Sequence, residues 1–261
     1  MRIFSRISQS VRNTQVYRSI FRHGLPKDDR GRVTAILSNL FLHLHPATVR
    51  RSGVRLSYTW CMGGLTGFLF LVELVTGVLL MFYYRPTAEY AYKDIVALGA
   101  HVPMGLLREV HRWGAHLMVI TVWLHMLRVF LTGSYKPPRE FNWVVGVGLL
   151  VLTMLLSFTG YLLPWDQLAM WAVTVGTNMA GAAPIVGHEG PGAGLLTVSD
   201  VPLVHQGSDI RFLLLGGVSV GPATLLRFYV LHCIALPVLS IVLMAVHFWR
   251  IRKDGGISGP L

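Results

Sequence analysis

Residues 110–131 read VHRWGAHLMVITVWLHMLRVFL. The stretch is long and apolar enough to cross a membrane as one helix, because about 20 such residues span the hydrocarbon core. It carries three histidines, of which His116 lies off the face shared by the other two, His111 and His125. In a helix the interval between them returns a side chain to within about 40° of its starting face, about 21 Å farther along the axis. One helix therefore presents two imidazoles on one side, at two depths of the membrane.

A second stretch, 228–249, repeats this arrangement with His232 and His247, whose interval is longer by a single position. In a helix, that interval separates two side chains by about 60° around the axis and about 22 Å along it. Two more stretches, 60–84 and 141–163, are equally apolar, so we predict four membrane-spanning helices.

The order of the four spans pairs the histidines. One antiparallel helix separates the two histidine-bearing spans, which therefore run in the same direction. The first histidine of one then faces the first of the other, so His111 pairs with His232 and His125 with His247. Two protein ligands per site are too few for structural zinc. They suit a haem, whose ring supplies four nitrogens and leaves two axial positions. The alternative is that these histidines form hydrogen bonds between helices.

The composition agrees with a membrane protein. Of 261 residues, 53% are hydrophobic and 13% charged, whereas soluble domains carry roughly 25% charge. The net charge of +11 comes from basic residues concentrated in 1–59, 128–139 and 250–253. By the positive-inside rule, both termini and the second connection lie on the cytoplasmic or equivalent n-side. The excess charge thus indicates topology rather than nucleic-acid binding.

The chain divides along its length into three predicted parts. Residues 1–33 form a basic N-terminal extension, and 34–59 form an amphipathic helix on the n-side surface. Residues 60–261 form one all-α membrane domain, a four-helix bundle with stacked haems. A long connection on the opposite p-side, rich in glycine, joins its third and fourth spans.

Glycines on the first and third spans match the histidine interval. Gly63 and Gly77 are separated by the same number of positions as His111 and His125, and so are Gly146 and Gly160. Because glycine has no Cβ, a flat macrocycle can approach the backbone there. These glycines are therefore predicted to pack against the haems.

Several motifs resemble the cytochrome b6 family, the four-helix cytochrome b subunits of b6f- and bc-type quinol oxidases. The resemblance covers roughly residues 55–261. The motifs are WCMGG (60–64), VHRW (110–113), LTG (131–133), KPPRE (136–140), TGYLLPWDQ (159–167), SVG (219–221), RFYVLH (227–232), IRK (251–253) and ISGPL (257–261).

The resemblance implies a cofactor for each histidine pair. His111 and His232 would ligate a p-side haem b, and His125 and His247 an n-side haem b. In the family motif, a cysteine at the position of Cys61 holds a c-type haem by a single thioether. Arginines near the haems would pair with their propionates, and these are Arg108, Arg112 and Arg139.

Two departures from the family pattern stand out. Glu73 occupies a position where the family more usually has glutamine. It is a candidate proton carrier or protonated hydrogen-bond donor, and a structural hydrogen bond is equally open. Residues 188–208 look like an insertion.

The implied function is transmembrane electron transfer within a quinol:electron-acceptor oxidoreductase of the quinol–cytochrome or quinol–plastocyanin type. Electrons from p-side quinol would cross through both b haems and the haem on Cys61 to n-side quinone, coupled to proton translocation in a Q-cycle. Quinone pockets are predicted at both ends of the bundle, from Pro164, Trp165 and Asp166 on the p-side and from Arg252 and Asp254 on the n-side.

The implied assembly is a dimeric complex in a bacterial inner membrane or a thylakoid. Partners would be a Rieske iron–sulfur protein, a c-type cytochrome or similar acceptor, and a separate three-helix subunit supplying the Pro-Glu-Trp-Tyr motif that this chain lacks. We expect the chain alone to be inactive. The alternatives are a di-haem membrane anchor of a dehydrogenase or hydrogenase, and a transporter without redox function.

Overall fold

A computed structural model describes residues 9–20, 26–39, 49–51, 53–101, 103–195, 197–199 and 201–258. Much of the predicted surface helix 34–59 lies outside these ranges, as does part of the extension 1–33, so both stay predictions. The described part of the chain is mostly helical, with one short antiparallel pair of strands.

Within these described ranges, four helices have the length and composition to cross a membrane. The first and third begin and end within a few positions of the predicted limits. The second and fourth both begin earlier than predicted, the second directly after a proline, which is favoured at a helix start. The spans are Met62–Met81, Met104–Leu131, Glu140–Leu162 and Pro222–Lys253.

The remaining elements are short. In the described ranges, the α-helices with defined bounds other than the spans are, in chain order, α1 (Gln15–Ile20), α2 (Asp29–Ser38), α3 (Leu56–Thr59), α4 (Ala91–Ala100), α5 (Gln167–Gly181) and α6 (Ile210–Leu215). A short 3-10 helix covers Ala193–Leu195. The strands are β1 (Thr197–Val198) and β2 (Val201–Pro202), which pair antiparallel.

The fourth span changes its winding where it carries His232. Residues Leu231–Ala235 form a π-helical turn, and the Leu236 N–H bonds to the carbonyl of Leu231. Pro237 follows and has no N–H with which to continue the ordinary ladder. A π turn inside a helix frequently marks a functional position.

The chain separates into two compact units. The larger unit comprises Cys61–Arg128 and Gly146–Leu243, and the smaller comprises Met1–Trp60, Val129–Val145 and Met244–Leu261. The larger unit holds three of the four predicted haem ligands, and the smaller holds His247.

The core of the larger unit forms where the third span ends. Leu163 is followed by Pro164, which disfavours helix at the residue before it, and the span stops at Leu162. Asp166 then caps α5 by accepting a hydrogen bond from the Ala169 N–H at 2.8 Å. The fully buried cluster that results consists of Leu162, Ala169, Val173, Leu215 and Phe228.

Polar contacts fix the connection between the first and second spans. The Tyr84 hydroxyl donates to the Leu163 carbonyl at 2.6 Å, and burial raises the pKa of this phenol well above its usual range. Arg85 donates two side-chain hydrogen bonds to Asp94, at 2.6 and 3.0 Å. These bonds lower the pKa of the Asp94 carboxyl. The first span is thereby tied to the end of the third.

The predicted insertion 188–208 is closed at its base by an ion pair. His188 Nδ1 lies 2.5 Å from Oδ2 of Asp209, whose side chain is fully buried. Oδ1 of the same carboxyl caps α6 by accepting the Phe212 N–H at 2.7 Å. Burial alone would raise the pKa of Asp209, but the hydrogen bonds from Phe212 and His188 lower it below its usual value.

We expect Asp209→Ala to loosen this loop, because it removes both the cap and the ion pair. Loss of a cap costs about 1 kcal/mol, which corresponds to roughly fivefold faster amide exchange of residues 210–215. Asp209→Asn keeps a capping oxygen and should show a smaller effect. Hydrogen exchange followed by mass spectrometry checks that exchange is fastest in Asp209→Ala, intermediate in Asp209→Asn and slowest in the unaltered protein. Equal exchange in all three proteins would contradict the prediction.

The same pair predicts a pH dependence. Because the folded-state pKa of Asp209 is lowered, its stabilisation is fully present above the usual aspartate pKa. It is lost as the pH falls through the lowered folded value. Amide exchange of residues 210–215, corrected for its intrinsic pH dependence, should therefore accelerate only under acid conditions, and Asp209→Ala should abolish this response.

Candidate functional site

The larger unit brings His111 and His232 together. Their ring centroids lie 6.2 Å apart, and the ring planes are nearly perpendicular, at 88°. A metal–imidazole bond is about 2 Å long. This separation therefore leaves room for one metal ion bound by one nitrogen of each ring. Of the two pairs predicted from the order of the spans, this is the one whose members the structure brings together.

Hydrogen bonds from the third span orient the His232 ring. Its Nδ1 lies 3.1 Å from the carbonyl oxygen of Leu156 and 3.2 Å from Oγ1 of Thr159. A carbonyl only accepts, so Nδ1 carries the proton and donates. Nε2 is then left with a free lone pair, which is the form that binds a metal.

The His111 ring is held in the same way from the first span. Its Nδ1 lies 2.8 Å from Oγ1 of Thr76 and 3.0 Å from Oε2 of Glu73. Thr76 and Thr159 are both buried, at 7% and 3% exposure. The two spans without predicted ligands therefore supply the partners that fix both imidazoles.

The predicted haem-packing glycines face the imidazole rings themselves. A Cβ at Gly160 would lie 2.6 Å from Cε1 of His232, and one at Gly77 would lie 3.2 Å from Cε1 of His111. At Gly63 a Cβ would lie 3.0 Å from Cε1 of His125. These three glycines thus make the space in which the histidines sit, and Gly146 stays a prediction.

The second predicted pair joins residues of different units, so its geometry stays a prediction. Within the larger unit, His125 packs against Gly63 of the first span. Within the smaller unit, His247 contacts the ring of Phe248 edge to face at 6.2 Å. Cys61 is exposed at the start of the first span, with its backbone in the left-handed region at φ 54°.

Two of the three predicted propionate partners share one carboxylate. Arg108 donates to Glu109 at 3.1 Å, and Arg112 donates to it at 2.6 and 3.0 Å. All three residues lie near the start of the second span. Glu109 thus holds the two guanidinium groups together, and both arginines are close to His111 in the sequence.

In the smaller unit, Arg139 and Asp254 border a common cavity of about 390 Å³. Arg139 donates to the Asp254 carbonyl at 3.1 Å, and the Asp254 carboxyl pairs with Arg250 at 2.7 Å. Arg50 and Lys136 also line the cavity and give it a basic wall. Arg252, the other predicted residue here, lies in the last turn of the fourth span.

A second cavity, open to solvent and about 460 Å³ in volume, lies in the larger unit. It is lined by Tyr92, Trp165, Asp166, Gln167 and Leu168. Pro164 immediately precedes this segment, and the Trp165 backbone is in the left-handed region at φ 52°. Two of the three residues predicted for the first quinone pocket therefore line one cavity.

The threonines that hold the histidines were missed from the sequence, although a signal was present. Each directly precedes a predicted haem-packing glycine, in the dipeptides Thr76-Gly77 and Thr159-Gly160. Gly114, which makes room for Glu73, was also missed. The only signal for it in the sequence is that a residue without a side chain stands one helical turn after His111.

Comparison with known proteins places this geometry in a family. The family model described as cytochrome b/b6/petB matches residues 48–189 and 194–255. The chain belongs to the cytochrome b/b6 family. It is 45% identical to the cytochrome b6 of Tupiella akineta over 203 residues, which are 77% of this chain and 85% of that protein.

A solved structure entitled "Hyperthermophilic respiratory Complex III" has the same fold as this cytochrome b/b6 chain. The TM-score is 0.69 at 25% identity, over 97% of this chain. The chain spans 56% of the length of that relative. The predicted fold class, an all-α membrane protein with four spans, and the predicted kind of protein, a haem b-binding electron-transfer subunit, are those of the family.

The residues around His111 and His232 fit a haem b. The two rings come from different spans, are spaced to bind one metal ion between them, and have their Nδ1 atoms engaged elsewhere. Glycines clear the backbone beside both rings. These are the requirements for two axial imidazoles on one iron.

We expect Gly160→Ala to reduce haem binding more than Gly77→Ala, because its Cβ would come closer to the histidine ring. A displaced ring loses its Nδ1 hydrogen bond, and its Nε2 no longer points toward the iron. The b-haem absorbance per purified protein measures the effect. Gly99→Ala is the control, since a Cβ there meets nothing within 4 Å. The reverse order, or no loss in either variant, would contradict the assignment.

Proposed function

We propose that this chain carries electrons across the membrane between two quinone sites of a quinol:electron-acceptor oxidoreductase. The observation that supports it most is the His111–His232 pair, held by Thr76 and Thr159 of the neighbouring spans. His125 and His247 serve a second haem b, nearer the cytoplasmic n-side. The bound haems supply the one-electron redox centres, and the protein supplies their ligands and surroundings.

The first quinone site lies at the cavity beside Trp165, on the p-side. Its volume suits a quinone ring, since small-molecule pockets measure about 300–1,000 Å³. Asp166 contributes by capping α5, and its Oδ1 is occupied by the Ala169 N–H. We assign the group that accepts the quinol proton to a three-helix partner that carries Pro-Glu-Trp-Tyr.

The second quinone site lies on the n-side, at the basic cavity of the smaller unit. Arg139 and Arg250 are both tied to Asp254 there, through its carbonyl and its carboxyl. The guanidinium groups of such a cluster can hold anionic propionates, and the Asp254 carboxyl is its candidate proton carrier. Arg252 of the same helix end completes this site. Together the two sites couple electron transfer to proton translocation in a Q-cycle.

Cys61 would bind a third haem covalently. Its thiol is exposed and lies at the start of the first span. Gly63 and Gly64 follow within one helical turn, and neither has a side chain of its own beside the thiol. The other cysteine, Cys233, is half-buried within the fourth span.

The chain would work within a dimeric complex with a Rieske iron–sulfur protein and a c-type cytochrome or similar acceptor. Its basic termini would face the cytoplasm or its equivalent, in a bacterial inner membrane or a thylakoid. Arg108 and Arg112 would face the p-side haem propionates, with Glu109 holding them in place.

The proposal predicts that His111→Ala and His232→Ala each remove the same one of two b haems from the purified complex. Each loss follows because one axial ligand cannot hold the iron in a bis-imidazole site. Redox titration of the b-haem absorbance identifies which component is lost. His116→Ala is the matched control, because His116 lies on the same span as His111 but is not a predicted haem ligand. Its ring contacts Trp113. Loss of different haems, or of none, would refute the pairing.

Covalent attachment gives a second test. After acid–acetone extraction, a pyridine haemochrome spectrum should show one haem retained on the polypeptide and two removed. Cys61→Ala should abolish the retained haem, whereas Cys233→Ala should leave it in place. Complete extraction from the unaltered protein would show instead that the chain holds only b-type haem.

A further inference from the structure

Four hydroxyl side chains of the smaller unit form a continuous hydrogen-bonded row. The Tyr58 hydroxyl lies 3.3 Å from Oγ of Ser258. Oγ of Ser258 lies 2.5 Å from Oγ of Ser134, which in turn lies 2.7 Å from Oγ1 of Thr132. This hydroxyl row (Tyr58, Ser258, Ser134 and Thr132) joins α3, the connection between the second and third spans, and the segment after the fourth span. Three distant parts of the sequence therefore meet through hydroxyl groups.

The inner end of the hydroxyl row borders the basic cavity of the smaller unit. Thr132, Ser134 and Ser258 all line this cavity. The outer end, Tyr58, lies in α3 before the first span and is partly exposed. The hydroxyl row therefore leads from a partly exposed phenol to the cavity assigned above to the n-side quinone.

The hydrogens of the row point in one direction. Oγ1 of Thr132 donates to the Val129 carbonyl at 3.4 Å, because a carbonyl can only accept. With its single proton engaged there, Thr132 accepts from Ser134. By the same reasoning Ser134 accepts from Ser258, and Ser258 accepts from Tyr58. Each hydroxyl both donates and accepts, so a proton taken up at the outer end displaces one toward the cavity.

The cavity contains a carboxyl at which protons are needed. The Asp254 side chain is 4% exposed, and its Oδ1 lies 2.7 Å from a guanidinium nitrogen of Arg250. Its Oδ2 is buried and has no hydrogen-bond partner among the described residues. A carboxyl that gives protons to a reduced quinone must be reprotonated in every turnover. Arg50 and Arg139 of the cavity wall cannot do this, because arginine keeps its proton in proteins.

Main-chain packing fixes the middle of the hydroxyl row. A Cβ at Gly53 would lie 3.3 Å from the carbonyl oxygens of both Ile257 and Ser258. Gly53 is buried, so its turn packs directly on the segment that carries the serine. Gly255 and Gly256, with φ of 83° and 84°, turn the backbone between the fourth span and this segment. The serine hydroxyl is thereby held between its two neighbours in the row.

We propose that the hydroxyl row delivers protons from the n-side surface to the quinone that is reduced in this cavity. In each transfer Tyr58 gives its proton to Ser258 and takes one from water. The shift continues through Ser134 to Thr132, which releases a proton into the cavity. One proton enters and one leaves, so the hydroxyls end with the charge they began with. Reduction of the quinone to quinol consumes these protons with electrons from the haems. The inference rests on the proposed function, because it requires a quinone in this cavity.

Tyr58→Phe and Ser258→Ala test the hydroxyl row in the purified complex. Each removes one hydroxyl and leaves the charged residues of the cavity in place. The haems are reduced chemically and mixed with a soluble short-chain benzoquinone. We expect haem reoxidation, and proton uptake reported by a pH-indicator dye, to slow at least about tenfold. A positioned proton donor contributes about 10²–10⁴-fold, and water replaces part of it. In Tyr58→Phe the quinone concentration that gives the half-maximal rate should stay the same, because Tyr58 lies outside the cavity wall.

Two further measurements separate proton delivery from a structural role. Ser258→Thr keeps a hydroxyl and should restore most of the rate that Ser258→Ala loses. Acetic acid added to Ser258→Ala should also accelerate reoxidation, because a small weak acid carries protons into the cavity by diffusion. A packing defect would not respond to the acid. Failure of both treatments would overturn the inference.

Tyr135→Phe is the matched control. It is the same substitution in the same unit, at a ring that packs against Phe130 and Trp143 and lies outside the hydroxyl row. Equal slowing in this variant would overturn the inference, since the effect would then be general to the unit.

The outcomes distinguish the two proposals. Unchanged reoxidation in either Tyr58→Phe or Ser258→Ala, in a complex that quinone reoxidises normally when unaltered, would overturn this inference alone. An unaltered complex whose reduced haems are not reoxidised by quinone would overturn the n-side quinone site, and this inference with it.

Discussion

The Nδ1 hydrogen bonds that orient His111 and His232 are the constraint on which the rest of the site depends. An imidazole on a helix can rotate about two bonds, and it binds a metal only when the correct nitrogen faces inward. The first and third spans remove this freedom, with two buried threonines and a backbone carbonyl. The helices without ligands are therefore as necessary to the site as those that carry them.

The main outline of the fold was predictable, because membrane spans depend on length and hydrophobicity, which are properties of single stretches. Helical periodicity together with span order also predicted that His111 pairs with His232. The starts of the second and fourth spans were placed too late, by more than one helical turn. Charged residues, Arg108, Glu109 and Arg227, precede the apolar stretches and made the sequence before them look like surface, whereas the helices continue through them.

What the sequence did not reveal depends on contacts between distant residues. Glu73 was recognisable as an unusual acid, but its partner lies on the next span and its space is provided by Gly114. His188 and Asp209 likewise meet only because the intervening loop returns to its starting point. The connection between the third and fourth spans was predicted to be partly loop. It also contains α5, whose capping aspartate follows closely after the proline that ends the third span.

The close approach of Gly114 to Glu73 has a consequence for how such a protein can diverge. While the acid is present, any larger residue at 114 would push the end of its side chain out of the space it occupies. Shortening the acid first would release position 114 to accept alanine, whereas the opposite order passes through a clashing intermediate. Divergence at these two positions is therefore coupled, and a change in the first span before the second avoids the clash.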